Sequence, residues 1–269
     1  MIGPLKEEDM DKDELGNRMK EYENVLDLTL TRRLPLIIRL DGKAFHSLTR
    51  RMEKPFDPRF LEIMQIVAKY LCRNIQNCKL AYTYSDEISL LCIDYESIHT
   101  DAWFGNRLQK IVSVSAAMAS VWFMKLYPVY FPDYIDPDPL FDSRAFTLPP
   151  HEVCNYMIWR QQDCTRNSIT ALAQAHFSHK ELQNKNSKQK QEMLLLERGV
   201  NWNDLPVENK RGTCIVYDHK LFNWVMDKDI PIFTQNRKYI NEHVYTEVTG
   251  WQSLYPNFPD YPTKTQTGT

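Results

Sequence analysis

Two apolar runs separated by only three residues, Leu80-Ala81-Tyr82-Thr83-Tyr84 and Ile88-Ser89-Leu90-Leu91-Cys92-Ile93 on either side of Ser85-Asp86-Glu87, leave the chain little local choice. Short runs rich in β-branched and aromatic residues are strand-like, and a brief polar break between them makes a hairpin. An earlier run, Leu34 to Leu40, reads as a buried strand and ends in Asp41-Gly42, where the chain is able to turn sharply. Each strand end therefore presents a carboxylate, Asp41 on one and Asp86 on the other. Carboxylates so placed are a way to hold divalent metal beside a nucleoside triphosphate. Taken singly, Asp41-Gly42 is more simply a turn and Ser85-Asp86-Glu87 a solvated hairpin tip.

The patterns around these strands set their context. Leu15 to Leu30 has helical spacing, and Pro58 opens a helix through Phe60, Ile63, Met64, Val67 and Leu71. A further helix is expected from Asn106 to about Phe123, where Ser and Ala allow close packing on a sheet. Tyr127 to Pro139, with four prolines, reads as a loop, and Phe141 to Leu148 as a strand. From Leu34 the order is strand, helix, strand, strand, helix, strand. That is the ferredoxin-like β-α-β-β-α-β layer, an α+β fold with a sheet covered by helices on one face. A long helix follows Pro149-Pro150 to about Phe177, then a polar segment from Lys180 to Gln191 that starts another helix. Cys214 to Tyr217 is a late strand. The expected division is a mobile segment over 1–14, a catalytic layer over 15–148, a mainly helical region over 149–261 packed on it, and a disordered tail over 262–269.

Composition bears on partners. The formal charge of −2 means that any nucleic acid must be held by a local basic face. No CxxC pair occurs among the six cysteines, which read as free thiols in a reducing compartment. The start Lys6-Glu7-Glu8-Asp9 is acidic and unlike a leader, and the uncharged stretch Ile111 to Met124 is short for a membrane span. The expectation is a soluble, cytoplasmic protein with no membrane partner.

Gly42, having no Cβ, lets backbone groups approach metal and phosphate. Arg39, Lys43 and Lys54 offer cations for phosphates, His46 is placed to orient a triphosphate or base, and Phe45 to stack on a base. Solvated surface and structural roles are the simpler alternative for each. Arg160, Arg166, Trp159, His176, His179 and the segment Lys180 to Lys190 suggest an RNA-facing surface or, equally, the solvated face of an amphipathic helix.

The blocks Ile38-Arg39-Leu40-Asp41-Gly42-Lys43-Ala44-Phe45-His46, Lys54-Pro55, Ser85-Asp86-Glu87, Phe141-Asp142-Ser143-Arg144 and Trp159-Arg160-Gln161-Gln162-Asp163 occur in register. Together they resemble the tRNA-histidine guanylyltransferase superfamily, whose enzymes add nucleotides to the 5′ end of RNA in the 3′-to-5′ direction. The resemblance runs from about Leu15 to Ile240. It implies a polymerase-like palm, two Mg²⁺ ions, ATP and GTP or other nucleoside triphosphates as substrates, tRNA as partner, and a homotetramer. It implies metal ligation by Asp41, the Gly42 backbone and Asp86, with Asp41, Asp86 and Glu87 as the catalytic acids. Triphosphate binding would fall to Asp41, Gly42, Lys43, Ala44, Phe45, His46, Ser85 and Asp86, with Lys54 and Arg144 on phosphates.

Two departures narrow the reading. Eukaryotic members follow the WRQxD block with His-Ile-Asn-Asn, whereas here Asp163 is followed by Cys164-Thr165-Arg166-Asn167-Ser168. That resembles the like-protein branch, which implies template-dependent repair of 5′-truncated tRNA, as do Leu15-Gly16-Asn17-Arg18-Met19-Lys20 and Asn201-Trp202-Asn203-Asp204-Leu205-Pro206. Tyr84 stands where the family usually has Gln. A nucleotide cyclase-like enzyme, which shares paired acids on a palm-like layer, and a non-catalytic tRNA-binding protein remain the alternatives.

Overall fold

The computed structural model describes residues 7–133 and 139–245, with side chains from residue 14 onward. The expected tail over 262–269 and residues 1–6 of the expected segment over 1–14 lie outside them, while residues 7–14 of that segment belong to the first helix. In chain order the elements are α1 (Glu7–Asn24), β1 (Leu36–Gly42), α2 (Phe45–Leu48), α3 (Pro58–Asn74), β2 (Cys78–Tyr84), β3 (Glu87–Cys92), α4 (Leu108–Tyr130) and β4 (Phe141–Thr147). There follow α5 (Pro150–His176), α6 (His179–Leu182), α7 (Ser187–Arg198), α8 (Val207–Arg211), β5 (Thr213–Asp218), β6 (Asn223–Asp227) and α9 (Lys238–Asn241).

The strands form one six-stranded sheet in the order β4-β1-β3-β2-β5-β6. Every neighbouring pair is antiparallel. The first four strands have the ferredoxin-like order, and the hairpin β5-β6 extends the β2 edge. Strand alternation divides the core in two. Leu36, Ile38 and Leu40 of β1 pack with α3 and α4 through residues such as Ile63, Val67, Ile111 and Phe123. Ile37 joins Leu80, Tyr82, Tyr84 and Leu91 on the opposite face, under Val153, Tyr156 and Met157 of α5. Arg39 and Asp41 share the parity of Ile37, so β1 turns its charged residues toward the α5 side.

Local chemistry explains the element starts. Asp57 caps α3 by accepting from the Arg59 N–H at 3.0 Å, and Pro58 occupies the first helical position, where a missing N–H costs nothing. Pro150 opens α5 in the same way.

Three expectations are corrected. The first helix ends at Asn24 instead of Leu30, because the backbone of Leu28 and Leu30 bonds to Leu108 and Asn106 instead of continuing the helix. Its apolar Met19 and Tyr22, and Val25 and Leu26 beyond it, are exposed. The helix expected to stop near Phe123 continues to Tyr130 through Pro128. Proline there forfeits one bond in the last turn, while Tyr127 and Phe131 on either side are buried with Phe123. At this length α4 is apolar enough to cross a membrane by composition, but Ile111, Ser115, Ala119, Phe123 and Tyr127 pack it against the sheet. Finally, the late strand is a hairpin: β6, whose Trp224 and Met226 pack under α3, was not expected.

Candidate active site

The site is built by two strand ends. Across β1 the register sets Asp41 opposite Glu87 on one side and opposite Asp142 on the other. The hairpin β2-β3 turns through Ser85 and Asp86, and the Asp86 carbonyl accepts from the Gly42 N–H at 3.1 Å, which joins the two strand ends directly. Ser85 has φ +48°, a left-handed conformation that a Cβ disfavours. Its hydroxyl donates to the Asp86 carboxylate at 2.9 Å.

Burial pushes the Asp41 carboxyl above the ordinary value, and the charges of Asp86 and Asp142 push it further. Burial also raises Asp86, opposed by its bond from Ser85 and by the nearby His46 imidazole. Neither Asp41 nor Asp86 belongs to an ion pair among the described residues. Desolvated carboxylates gathered without a paired base, with only the nearby charges of Arg39, Arg160 and His46 to offset them, form a hard-oxygen donor set that favours a bound cation. No group of three or more His, Cys, Asp and Glu side chains able to enclose a metal is present among the described residues. Mg²⁺ is suited to that shortage, since it takes few protein ligands and fills its octahedron with water and phosphate oxygens. The residues present fit the ion.

Glu87 adjoins Asp41 but stands in a different environment. Its carboxylate accepts from buried Arg160 at 2.7 Å, and Tyr84 and Ser89 lie at 3.4 and 3.5 Å. Arg160 also reaches Asp163 at 3.4 Å, Tyr84 donates to Asp163 at 2.9 Å, and Arg166 donates to Asp163 at 2.6 Å. Burial raises Glu87, and the Arg160 guanidinium opposes that rise. Arg160, for which the sequence left an RNA-facing surface and a solvated helix face equally open, takes neither place: it is 5% exposed and stacked at 3.7 Å on the Trp159 ring. Trp159 is half-exposed and Arg166 exposed, while Lys190 donates to Thr170 at 3.1 Å.

The segment after Asp41 is compact. Ala44 adopts a left-handed conformation at the start of α2, which lets the chain double back. Phe45 does not offer its ring to a base: it is 3% exposed and packs edge-on against Phe60, Phe123 and Phe141. That ring also explains Gly42, where a Cβ would lie 2.5 Å from it. Lys43 and His46 are exposed beside the turn. Lys54 donates to the Thr49 carbonyl at 2.8 Å and lines a cavity of about 230 Å³ with Phe56, Phe60, Tyr84, Ser85 and Asn209. Arg144 sits on the β4 edge, 3.4 Å from Asp142 and opposite Arg39 in the sheet.

The structure thus brings Asp41, Gly42, His46, Ser85 and Asp86 together, sets Lys54 across a cavity from Ser85, and leaves Lys43 and Arg144 at the rim. Sequence reasoning missed Asp142. Its signal was present, two residues before Arg144 on the same strand and so on the same face. It also missed Asn209, whose side-chain oxygen is buried beside that cavity without a partner among the described residues; nothing local in the sequence marks it.

Comparison with known proteins follows this geometry. The sequence model of the family described as tRNAHis guanylyltransferase matches residues 16–149. The tRNA(His) guanylyltransferase of Debaryomyces hansenii is 32% identical over 200 residues, which cover 68% of this chain and 74% of that one. A bacterial tRNA(His) guanylyltransferase-like protein solved in complex with ATP is 46% identical with a TM-score of 0.83, over 86% of this chain and 99% of that one. A bacterial protein of the same description, in complex with GTP, is 42% identical with a TM-score of 0.75, over 86% and 100% of the two chains.

Proposed function

Because the chain belongs to the tRNA-histidine guanylyltransferase family, in its like-protein branch, and is a nucleotidyltransferase acting on tRNA, we propose that it extends tRNA 5′ ends in the 3′-to-5′ direction. The task is template-dependent repair of 5′-truncated tRNA. The observation that carries this reading is the pair Asp41 and Asp86, desolvated at hydrogen-bonded strand ends with no ion-pair partner among the described residues.

Asp41, the Gly42 carbonyl and Asp86 would hold Mg²⁺, two ions in all. Bound there, the metal supplies charge neutralisation at phosphate oxygens and favours ionisation of an attacking hydroxyl. The remaining work belongs to the chain itself. Lys43, His46 and Ser85 bracket the triphosphate, the backbone of Ala44 and Phe45 shapes the turn beneath it, and Lys54 and Arg144 bind phosphates from opposite sides. A 5′-monophosphate attacks the α-phosphorus of ATP, pyrophosphate leaves, and an adenylylated end results; GTP would serve similarly. The 3′-hydroxyl of an incoming nucleoside triphosphate then attacks that activated phosphorus and AMP leaves. Both steps are displacements at phosphorus, so one set of side chains serves both. Glu87 acts here as a positioning residue, fixed by Arg160 behind Asp41.

The same proposal places the enzyme in the cytoplasm as a homotetramer. Support for association comes from exposed apolar side chains, Leu15, Met19 and Tyr22 on α1 and Val121, Met124 and Val129 on α4. Sedimentation velocity reads the oligomer. The activity is tested by incubating labelled GTP with and without 5′-truncated tRNA. Template-dependent incorporation at the RNA 5′ end is expected. A cyclic nucleotide formed without RNA, or incorporation that survives Asp41→Ala or Asp86→Ala, sinks the proposal.

A further inference from the structure

A second cavity, of about 440 Å³, lies against a different face of α5 from the one beside Ser85. Cys164, Asn167 and Ser168 of α5 line the first, whereas Ile158, Gln162, Thr165 and Arg166 line the second. A volume of this size accommodates one nucleotide. Its remaining walls bring Trp202, Asn203, Arg211, Ile232 and Thr234 together from three separate segments.

The chemistry of those walls is uneven in an informative way. Arg211 is half-buried, and its guanidinium has only the Ile230 carbonyl at 3.5 Å and no carboxylate among the described residues. A partly desolvated cation without a counter-ion favours an anionic ligand. Lys210 beside it is 9% exposed and bonds to the Asn203 carbonyl, again without a carboxylate. Arg166 on the opposite wall is exposed, with its one acid, Asp163, shared with Arg160 and Tyr84. The Gln162 amide and the Thr234 hydroxyl make no hydrogen bond within the described residues, so they are available to a ligand. Trp202 is held in place by its indole N–H, which donates to Ser168 at 3.0 Å, and Ile158 and Ile232 add apolar surface. Cations for a phosphate, an indole and aliphatic walls for a base, and open amide and hydroxyl groups for its edge together describe a nucleotide.

Position decides which nucleotide. Arg166 bonds Asp163, Asp163 bonds Tyr84, and Tyr84 immediately precedes the Ser85-Asp86 turn. The cavity wall at Arg166 is therefore linked through Asp163 and Tyr84 to the strand end that precedes the reacting carboxylate Asp86. In tRNA the unpaired 3′ strand leaves the same end of the acceptor stem as the 5′ terminus. A 5′ end seated at Asp41 and Asp86 would carry that unpaired strand to within reach. We propose that this cavity holds one unpaired nucleotide of the tRNA 3′ strand, with its phosphate on Arg211 and Arg166 and its base against Trp202. The inference rests on the 5′-end reading above, and it adds a recognition site for the opposite strand.

The test compares two acceptor-stem RNAs, one with a four-nucleotide unpaired 3′ strand and one blunt, by fluorescence anisotropy on the full chain. Wild type is expected to bind the overhanging RNA about tenfold more tightly, the scale of one charge-assisted phosphate contact. Arg211→Ala is expected to bring the ratio of the two affinities close to one. Gln162→Ala, which breaks no hydrogen bond among the described residues, is expected to reduce the ratio about threefold, consistent with loss of one neutral hydrogen bond. Thermal melting of each variant verifies that it is folded. An equal ratio in wild type and folded Arg211→Ala, or no overhang advantage in wild type, overturns the proposal. So does protection of wild type but not Arg211→Ala by AMP or CMP without an overhang advantage, which would assign the cavity to a free nucleotide. Nucleotide addition by wild type is followed in parallel: its absence counts against the 5′-end reading, whereas the affinity ratio alone decides this one.

Discussion

Asp86 and Glu87 are adjacent in sequence, yet they belong to opposite electrostatic regimes. Asp86 joins Asp41 and Asp142 in an acidic group with no basic ion-pair partner for Asp41 or Asp86 among the described residues. Glu87 enters a network in which Arg160, Tyr84, Asp163 and Arg166 meet each charge with a partner at 2.6 to 3.4 Å. Alternation along the hairpin produces the difference: Glu87 lies in the strand with its side chain under α5, while Asp86 occupies the turn. A closed network stabilises and positions. An open acidic group costs stability and is retained where a cation is to be bound. The comparison therefore separates residues that do chemistry from residues that hold them.

The strongest way to break the comparison is to neutralise the open group. Asp41→Asn and Asp86→Asn should each lower template-dependent incorporation by on the order of 10⁴-fold, since several kcal/mol of charge stabilisation is lost. Without metal, both variants should melt no lower than wild type, and Asp41→Asn higher, because like-charge repulsion is relieved. The pH dependence has a defined sign. A carboxyl raised above its ordinary 3.8 binds protons more readily folded than unfolded. These two groups therefore favour the metal-free fold at low pH, and that contribution is lost as pH rises through their raised values. Metal retention runs the other way, because the ligands must be ionised. Melting from pH 3.5 to 7, with and without Mg²⁺, should show opposing slopes that Asp41→Asn flattens.

The closed network predicts a loss of stability first. Arg160→Ala strands Glu87, which is 8% exposed in its side chain, and should cost about 3–5 kcal/mol in denaturant unfolding. Replacing both partners, Arg160→Met with Glu87→Leu, should recover most of that stability. If the single variant unfolds at the wild-type midpoint, the network is not closed as described. Tyr84→Phe is milder: losing the hydroxyl donated to Asp163 should cost about 1–2 kcal/mol.

How much of this was legible in sequence depends on whether the signal was local. Asp41, Gly42, Ser85 and Asp86 lie at breaks between apolar runs, so period and turn chemistry suffice to place them at strand ends. Their approach to each other follows from the ferredoxin-like order, which is also readable. The Glu87–Arg160 pair joins residues 73 positions apart, and no local pattern distinguishes a buried Arg on a helix from an RNA-facing one. Phe45 was misread for a related reason. An aromatic residue beside a glycine-turn suits both a base platform and a core plug, and only the packing of Phe60, Phe123 and Phe141 decides between them. Pro128 misled through its local cost, which burial of Tyr127 and Phe131 offsets.

Ser85 gives the smallest effect and the finest division between the two regimes. Its φ of +48° disfavours any side chain by about 1 kcal/mol, and glycine would remove that strain. Serine nevertheless stands there, and its hydroxyl donates to Asp86 at 2.9 Å, the one side-chain bond among the described residues that orients this carboxylate. Ser85→Gly should therefore leave the melting temperature unchanged or raise it by about 2–4 °C. It should also lower kcat/KM by about tenfold, the scale of one hydrogen bond to a charged group. Ser85→Ala keeps the strain and loses the bond, so it should match the glycine variant in activity and fall below it in stability. If Ser85→Ala retains full activity, Asp86 is oriented by the backbone alone, and the serine hydroxyl belongs with neither the chemistry nor its support.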